Sequence, residues 1–220
     1  ANGMGNGISN DDSVLTANIN TVISLNVTSQ NIADLTGVED FIALDSLICV
    51  SNNLTTLDLS NNLALTYLFC RWNQLSTLDV SQNTNLDFLQ CDFNNLTALD
   101  ISNNYNLTDL NFMDNAVTSL DVTNNIALTF LLCSGNPIGT IDLSNNLSLS
   151  WLSLFDTQQT SVDLSNNTFL NHLEIDQNSL TSIDLSNNLY LSLLSITSNQ
   201  LTTLNVTVNS SLWHLNCNNN

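Results

Sequence analysis

A fixed interval of 21 residues runs through this chain and constrains its fold more than any other feature. Aspartate recurs at this interval, and further columns of cysteine and asparagine keep the same phase from Leu44 to the end. The aspartate column comprises Asp58, Asp79, Asp100, Asp121, Asp142, Asp163 and Asp184, with Asn205 in the next place. Such a period is the signature of stacked repeats, in which each unit buries its apolar face against its neighbours.

One unit defines the pattern of buried and turning positions. It reads Leu65-x-x-Leu68-x-Cys70-x-x-Asn73-x-Leu75-x-x-Leu78-Asp79-Val80-Ser81-x-Asn83. The cysteine column also accepts Phe, Leu and Ile, so we expect it to face the core with the leucines. We expect the asparagine column to mark turns, where an amide can satisfy backbone groups.

The spacing within a unit predicts its two walls. Short segments such as Tyr67 to Arg71 are expected to pair in parallel as one continuous sheet. The segment from Leu75 to Val80 is too short and too rich in Ser, Thr and Asp for a helix, so extended or 3₁₀ structure is expected. The predicted fold is a solenoid with a parallel β-sheet on one wall, extended or 3₁₀ segments on the other, and little or no α-helix.

The unit resembles the bacterial leucine-rich repeats of internalin-like surface proteins with a cysteine ladder. It is also similar to the repeats of secreted Bacteroidetes proteins, and the resemblance covers roughly residues 13–220. The resemblance implies a leucine-rich-repeat solenoid that acts in adhesion or recognition, on a protein that is secreted or held at the cell surface.

The ends and one internal unit depart from the pattern. Residues 1–21 are expected to form a flexible lead-in and partial N-terminal cap, and residues 22–220 a solenoid of about nine coils with an incomplete last coil. The entry coil is one residue longer than the others. The unit from Phe155 to Thr160 loses the repeat Asn and the following Leu, so a local distortion is expected there.

The charge of the chain restricts its partners. Twenty acidic residues stand against one basic residue, Arg71, and the formal net charge is −19. Nucleic acid is excluded as a partner because it requires cationic side chains. No apolar run is long enough to span a bilayer, so membrane insertion is not expected.

The cysteine and aspartate columns are both interpreted as scaffold. Stacked cysteines on adjacent parallel strands have poor disulfide geometry, so all five are expected to be buried free thiols. Each aspartate is expected to accept hydrogen bonds from loop N–H groups. The alternative is a row of Ca²⁺ ions, but one carboxylate per coil provides few of the oxygen ligands that Ca²⁺ requires. No cofactor and no other metal are expected.

The positions that vary from coil to coil are the candidates for ligand contact. The outward columns of the strands and the residues just after them contain most of the large aromatics, the Arg and both His. Exposed aromatics are typical of interface anchors, although ordinary cross-strand packing is the alternative. The predicted protein- or glycan-binding residues are Tyr67, Phe69, Arg71, Trp72, Phe88, Phe93, Phe130, Trp151, Phe155, His172, Glu174 and His214.

Other functions remain as alternatives. His172, Glu174 and Asp176 alternate on one strand and are expected to point outward together, but no nucleophile accompanies them, so the chain is predicted not to be an enzyme. The chain ends partway through a repeat, which leaves open end-to-end assembly into a filament or surface layer. A more remote alternative is ice or mineral binding by the outward Thr column of the other wall, which includes Thr56, Thr77, Thr140 and Thr203.

Overall fold

The computed structural model describes residues 19–220, which form one continuous parallel sheet of ten strands. Strands adjacent in sequence are adjacent in the sheet throughout. The strands are β1 (Ser24–Asn26), β2 (Ser46–Ile48), β3 (Tyr67–Phe69), β4 (Phe88–Gln90), β5 (Asp109–Asn111), β6 (Phe130–Leu132), β7 (Trp151–Ser153), β8 (His172–Glu174), β9 (Leu193–Ser195) and β10 (His214–Asn216).

The strand register reproduces the sequence period. Leu68 of β3 pairs with Leu89 of β4, 21 residues later, whereas Leu25 of β1 pairs with Leu47 of β2 at a separation of 22. The extra residue of the entry coil is therefore confirmed. The proposed lead-in over residues 1–21 lies mostly outside the described residues, and the domain boundaries stay a prediction.

The opposite wall contains no β-strand among the described residues. Each coil turns from this wall towards the next strand through consecutive hydrogen bonds between residues three apart, such as Asn62 N–H to Leu59 O and Leu65 N–H to Asn62 O, both 3.1 Å. A 3₁₀ helix covers Val38–Asp40 in the entry coil. The repeat leucines, with Cys70, Phe112 and their equivalents, form one core between the walls. The predicted solenoid fold is confirmed.

The repeat asparagines join each coil to the one before it. The Nδ2 group of Asn73 donates to the carbonyl of Cys49 in the preceding coil at 2.9 Å and to that of Cys70 in its own coil at 3.0 Å. Its Oδ1 accepts the N–H of Leu54 at 3.0 Å. The amide thus satisfies buried backbone groups that the turn leaves unpaired, as predicted.

A second asparagine column joins successive coils on the other side of the coil through its amide donors. Asn83 is fully buried, and its Nδ2 donates to Leu59 O at 3.1 Å and to Asn62 O at 3.0 Å. The same bonds recur with Asn104, Asn125, Asn146, Asn167, Asn188 and Asn209. Two buried amide ladders therefore join the coils at both turns, with one interruption at Thr157.

The coil that lacks the repeat asparagine is distorted as expected. Thr157 takes the asparagine position, and its single hydroxyl donates to Leu154 O at 2.8 Å. Gln159 is buried in place of the leucine and donates to Gly139 O. Gln158 adopts a positive φ of 64°. The strand pairing of Trp151 with His172 is nevertheless unbroken, so the sheet passes through the distortion.

Four of the five cysteines are buried free thiols, as the column predicted. They are Cys49, Cys70, Cys91 and Cys133, and burial raises the pKa of the Cys49 thiol to about 12. The prediction is wrong for Cys217, which follows β10 at the edge of the described sheet and is exposed.

The aspartate row caps the turns of the opposite wall. Asp58 Oδ1 accepts the N–H of Ser60 at 2.9 Å, and Asp121 Oδ1 accepts both the N–H and the hydroxyl of Thr123 at 2.9 and 2.6 Å. These hydrogen bonds lower the pKa of both carboxyl groups below their ordinary value. The hydrogen-bonding interpretation of the row is therefore confirmed, while Ca²⁺ binding stays untested.

Two further features of residues 19–220 concern the requirements for membrane spans and metal sites. No helix in this part of the chain is long and apolar enough to cross a membrane. Within the same residues, no three or more His, Cys, Asp or Glu side chains group in a way that could hold a metal ion.

Replacing one repeat asparagine should destabilise the solenoid strongly. Asn94→Ala leaves Leu75 N–H and the carbonyls of Cys70 and Cys91 without the bonds that the amide now makes at 2.9 to 3.1 Å. We expect a loss of about 3 kcal/mol or more in urea unfolding, since each unsatisfied buried group costs roughly 1–3 kcal/mol. Asn95→Ala, at the exposed next residue, should cost less than about 0.5 kcal/mol. Equal losses of unfolding free energy in the two variants would contradict the stabilising role of the asparagine column.

The turn role of the aspartate row predicts a pH dependence. The folded pKa of Asp121 lies below the ordinary value of 3.8, so its stabilising contribution is present above that pH and is lost as the pH falls through the folded pKa. The gap in thermal midpoint between wild type and Asp121→Ala should therefore be largest near pH 7 and should close below pH 3.8. Asp121→Asn should behave more like wild type, because Asn205 makes the same bond to Thr207 at 3.1 Å. A gap that widens in acid would contradict this role.

Candidate ligand-binding face

The outward side chains of the strands, with the residues that follow each strand, form one surface that we call the strand face. In each strand from β2 to β9 the central leucine is buried, while the residues on either side of it point away from the core. Because the register never slips, equivalent outward residues stack from coil to coil. The strand face is therefore where neighbouring aromatics can contact one another.

The first aromatic patch lies on β3 and β4 and at the turns after them. Tyr67 stacks on Phe88 with ring centroids 5.0 Å apart. Trp72 stacks on Phe93 at 3.9 Å with an angle of 13° between the rings. Phe69 and Arg71 lie between these pairs along the chain. The six predicted residues Tyr67, Phe69, Arg71, Trp72, Phe88 and Phe93 are thus brought together.

A shallow depression of about 450 Å³ opens beside this patch. Ile48 and Val50 of the preceding coil line it together with Phe69, Arg71 and Trp72. Sequence reasoning missed Ile48 and Val50, although both stand in outward columns and are apolar. Their presence makes the depression mainly hydrophobic, with a guanidinium on its wall.

The guanidinium is held by a buried acid. Arg71 Nε lies 3.1 Å from Asp92 Oδ2, and Asp92 is 1% exposed. Burial raises the pKa of the Asp92 carboxyl, and the positive charge of Arg71 opposes this effect. The ion pair orients Arg71 at the patch while more than a third of its side chain stays exposed.

Trp72 and Phe93 occupy a backbone position that disfavours them. Their φ angles are 56° and 54°, in the left-handed region. The equivalent residues in other coils are Ser51, Asp114, Gly135, Asp156, Gln177, Ser198 and Asn219. A bulky residue at such a φ costs roughly 1–2 kcal/mol. The fold tolerates small or polar residues there, so it does not itself require the two aromatics.

The second aromatic patch lies on β6 to β8. Trp151 lies between Phe130 and His172, with ring centroids 5.9 Å from the first and 4.1 Å from the second. His172 Nε2 is 3.0 Å from Glu174 Oε1. Phe155, which follows β7, is 36% exposed. Four predicted residues, Phe130, Trp151, His172 and Glu174, are therefore brought together, and the partly exposed Phe155 follows β7 in the same coil.

A chain of hydroxyl groups supports the second patch from below. Ser153 Oγ donates to Glu174 Oε2 at 2.9 Å, and it also lies 2.7 Å from Ser134 Oγ. Both serines are buried. This support fixes Glu174, and through it His172, and it was not predictable from the column pattern of the sequence.

The two patches are separated by a polar strand. Asp109 and Asn111 of β5 occupy the outward positions there, and burial raises the pKa of the Asp109 carboxyl. His214 belongs to neither patch: it lies on β10, beyond the outward Leu193 of β9, with its ring 5.6 Å from Trp213. The predicted binding residues thus share one face but form two patches and a separate residue.

The expectation that His172, Glu174 and Asp176 point outward together is wrong for Asp176. Its carboxylate is 7% exposed and accepts hydrogen bonds from Ser195 Oγ at 2.7 Å and from Thr197 N–H at 2.6 Å. The backbone turns after β8, which takes Asp176 away from the His172–Glu174 pair and into the next coil.

Comparison with known proteins identifies the solenoid type. The internalin J functional domain of Listeria monocytogenes, which includes a cysteine ladder, matches with a TM-score of 0.91 and 41% identity over 93% of this chain and 46% of that chain. Internalin J from strain F2365 is also 45% identical over 51 residues, 6% of its length. The chain is therefore a leucine-rich-repeat solenoid that is similar to internalin J.

Other relatives are more distant. YopM, a leucine-rich effector protein from Yersinia pestis, is 26% identical with a TM-score of 0.70 over 77% of this chain and 48% of its own. A Listeria internalin, InlF, shares only the fold, at 24% identity and a TM-score of 0.75 over 94% of this chain and 71% of its own. No protein-family profile matches this chain. The internalin-like chain spans about half the length of the internalin J domain, and its likeness to secreted Bacteroidetes proteins stays a prediction.

Removing the strained tryptophan should leave the stability of this internalin-like solenoid nearly unchanged. Trp72→Gly loses a ring stack worth about 0.5–1.5 kcal/mol and relieves a left-handed conformation that costs roughly 1–2 kcal/mol. We expect a change within about 1 kcal/mol in urea unfolding, whereas Leu89→Ala in the core should lose about 2–5 kcal/mol. A loss above about 2 kcal/mol for Trp72→Gly would make Trp72 a structural residue.

Proposed function

We propose that the chain is a non-catalytic extracellular recognition or adhesion module that binds a protein or glycan on the strand face. The observation that carries the proposal is the concentration of partly exposed aromatics there, with Trp72 and Phe93 in backbone conformations that the scaffold does not require. Strain that the fold does not need is typical of functional sites.

The chemistry of the two patches suits molecular recognition. Tyr67, Trp72, Phe130 and Phe155 each expose 36–49% of their area. Aromatic residues and arginine dominate interface hot spots, because they bury a large area with little conformational entropy to lose. Stacked rings with an oriented Arg71 and a supported His172–Glu174 pair are preorganised, which lowers the cost of binding.

The likeness to internalin J supports an extracellular location, either secreted or attached to the cell surface, and a role without catalysis. The charge supports the choice of partner. With a net charge of −19, the chain repels nucleic acid and anionic membranes, attracts basic partners and does not repel neutral ones such as glycans. No cofactor is needed for this function, and Ca²⁺ binding by the aspartate row stays a prediction.

A selection experiment on unbiased ligand libraries tests the proposal. A random phage-displayed peptide library and a glycan array are probed with the wild type and with the variant Phe88→Ala/Phe130→Ala/Trp151→Ala. Ligands that the wild type enriches should lose at least tenfold in affinity for the variant, about 1.4 kcal/mol. The control Thr56→Ala/Thr77→Ala/Thr140→Ala, on the opposite wall, should keep them.

Two outcomes would contradict the proposal. Enriched ligands that bind the aromatic variant and the wild type equally would remove the strand face as the binding site. Loss of the same ligands in the threonine control would place recognition on the other wall. Circular dichroism of each variant separates loss of binding from loss of fold.

The two alternative functions stay predictions. End-to-end assembly predicts particles that lengthen with concentration in light scattering. Ice or mineral binding needs a regular wall, and the exposed threonine column is interrupted by Ala98 and by Ser119, Ser161 and Ser182.

A further inference from the structure

A second exposed apolar surface lies on the edge of the solenoid just before the strands. We call it the edge ridge. Its side chains are 51–63% exposed and occupy two adjacent columns in the turn that precedes each strand. They are Leu63, Tyr105, Ile126, Leu147 and Leu189 in the first column, and Phe169 and Tyr190 in the second.

The scaffold does not require apolar residues at these positions. Thr84, Thr168 and Ser210 occupy the first column in other coils with the same register and the same turn. The three aromatics alone, at about 150–250 Å² each, expose on the order of 300 Å². With the aliphatic residues, the ridge exceeds the few hundred Å² that soluble proteins ordinarily leave uncovered.

The ridge is held rigid from coil to coil. Asn62 N–H bonds to Leu59 O before the ridge position and Leu65 N–H bonds to Asn62 O after it, both at 3.1 Å. Asn85 Nδ2 also donates to Leu63 O at 3.0 Å, which ties one coil's turn to the next. Phe169 and Tyr190 are stacked with only 7° between their rings. A surface fixed in this way needs little ordering when a partner binds.

The aspartate row precedes the ridge along each coil, and its charge sets the charge expected of a partner. Each aspartate precedes a ridge position by five residues, as Asp121 precedes Ile126. Hydrogen bonds keep the pKa of these carboxyl groups low, so the row is ionised at neutral pH. The sole basic residue, Arg71, lies on the strand face. The edge is therefore apolar and flanked by negative charge without internal compensation.

This charge disfavours a second copy of the chain as the occupant. Two ridges packed together would bring two aspartate rows side by side in the low-dielectric border of the interface, with no cation to separate them. A partner with apolar residues flanked by Lys or Arg satisfies both the ridge and the row.

We propose that the edge ridge is a docking surface for a cationic amphipathic helix of another protein. Leu63 and Leu189 are six coils apart, roughly 29 Å at the strand spacing of about 4.8 Å. A helix of about 20 residues has the same length, and its turns repeat every 5.4 Å, close to the coil spacing. Apolar residues on successive turns can thus contact successive coils, while flanking Lys and Arg face the aspartate row. This surface is separate from the strand face and does not depend on it.

The test uses a synthetic probe. A fluorescent 20-residue peptide of Leu, Lys and Ala, with Leu along one helical stripe and Lys beside it, is titrated with the protein by fluorescence anisotropy. A second peptide replaces each Lys by Glu, and a third replaces each Leu by Gln. The protein should bind the first peptide at least tenfold more tightly than either of the others, with an affinity that falls as salt is raised.

Variants chosen from the chain's own repeats keep the fold. Tyr105→Thr/Ile126→Thr/Leu147→Thr installs the residue that Thr84 and Thr168 already place in this column. Asp100→Asn/Asp121→Asn/Asp142→Asn keeps the turn bond that Asn205 makes. The threonine variant should bind the Leu/Lys peptide at least tenfold more weakly than the wild type. The asparagine variant should bind it more weakly mainly at low salt. Gln74→Ala/Asn95→Ala, at the opposite turn, should bind like the wild type.

Each other outcome overturns the proposal. Equal binding of the Leu/Lys peptide to the wild type and the threonine variant would show attraction to acidic charge without docking. Equal affinities of the protein for the Glu peptide and the Leu/Lys peptide would show that the aspartate row plays no part in binding. A dimer of the protein alone in sedimentation velocity, lost in the threonine variant, would make the ridge a contact between copies.

Discussion

The buried asparagine amide is the interaction on which the rest of the molecule depends. Each coil has to reverse direction inside a packed interior, where its turn leaves N–H and C=O groups away from water. Asn73 and its equivalents satisfy these groups in two coils at once, and the fully buried Asn83 column donates to carbonyl groups of the preceding coil at the other turn. Because each amide bonds to the preceding coil, the strands are fixed in register, and outward side chains must stack in columns.

Much of this architecture could be predicted because the repeat acts as its own control. Columns that change in only one coil, such as the repeat asparagines, were predicted to be scaffold, and interchange of Cys with Phe and Ile placed the thiols in the core. Contacts made after the backbone turns were less accessible to sequence reasoning. The alternation of side chains along β8 predicted that Asp176 points outward. Asp176 lies after the end of the strand, however, and its carboxylate accepts hydrogen bonds from Ser195 and Thr197. The left-handed backbone conformation of Trp72 and Phe93 could not be predicted from the residue types in the repeat, because it depends on the geometry of the turn.

The candidate sites follow from what the ladders leave free. Since the amides and the leucine core stabilise the coils, the outward side chains contribute little to the stability of the fold and can differ from coil to coil. The strand face uses this freedom for two aromatic patches separated by a polar strand. The edge ridge was not predicted from sequence because Thr interrupts its column of apolar residues and because these residues lie close in sequence to core leucines. Their exposure depends on the conformation of the turn, which the sequence pattern does not specify.

The columns that stabilise the fold are distinct from the outward columns that we propose as binding sites, and a single unfolding measurement tests that division. A variant with Tyr67, Phe88, Phe130 and Trp151 changed to Thr, and Trp72 and Phe93 changed to Gly, removes both the stacking and the strain of the strand face. Its thermal midpoint should fall by less than about 8 °C, since each 1 kcal/mol moves the midpoint of a chain this size by about 2–4 °C. Loss of the cooperative transition would show instead that the aromatics are there to hold the sheet together.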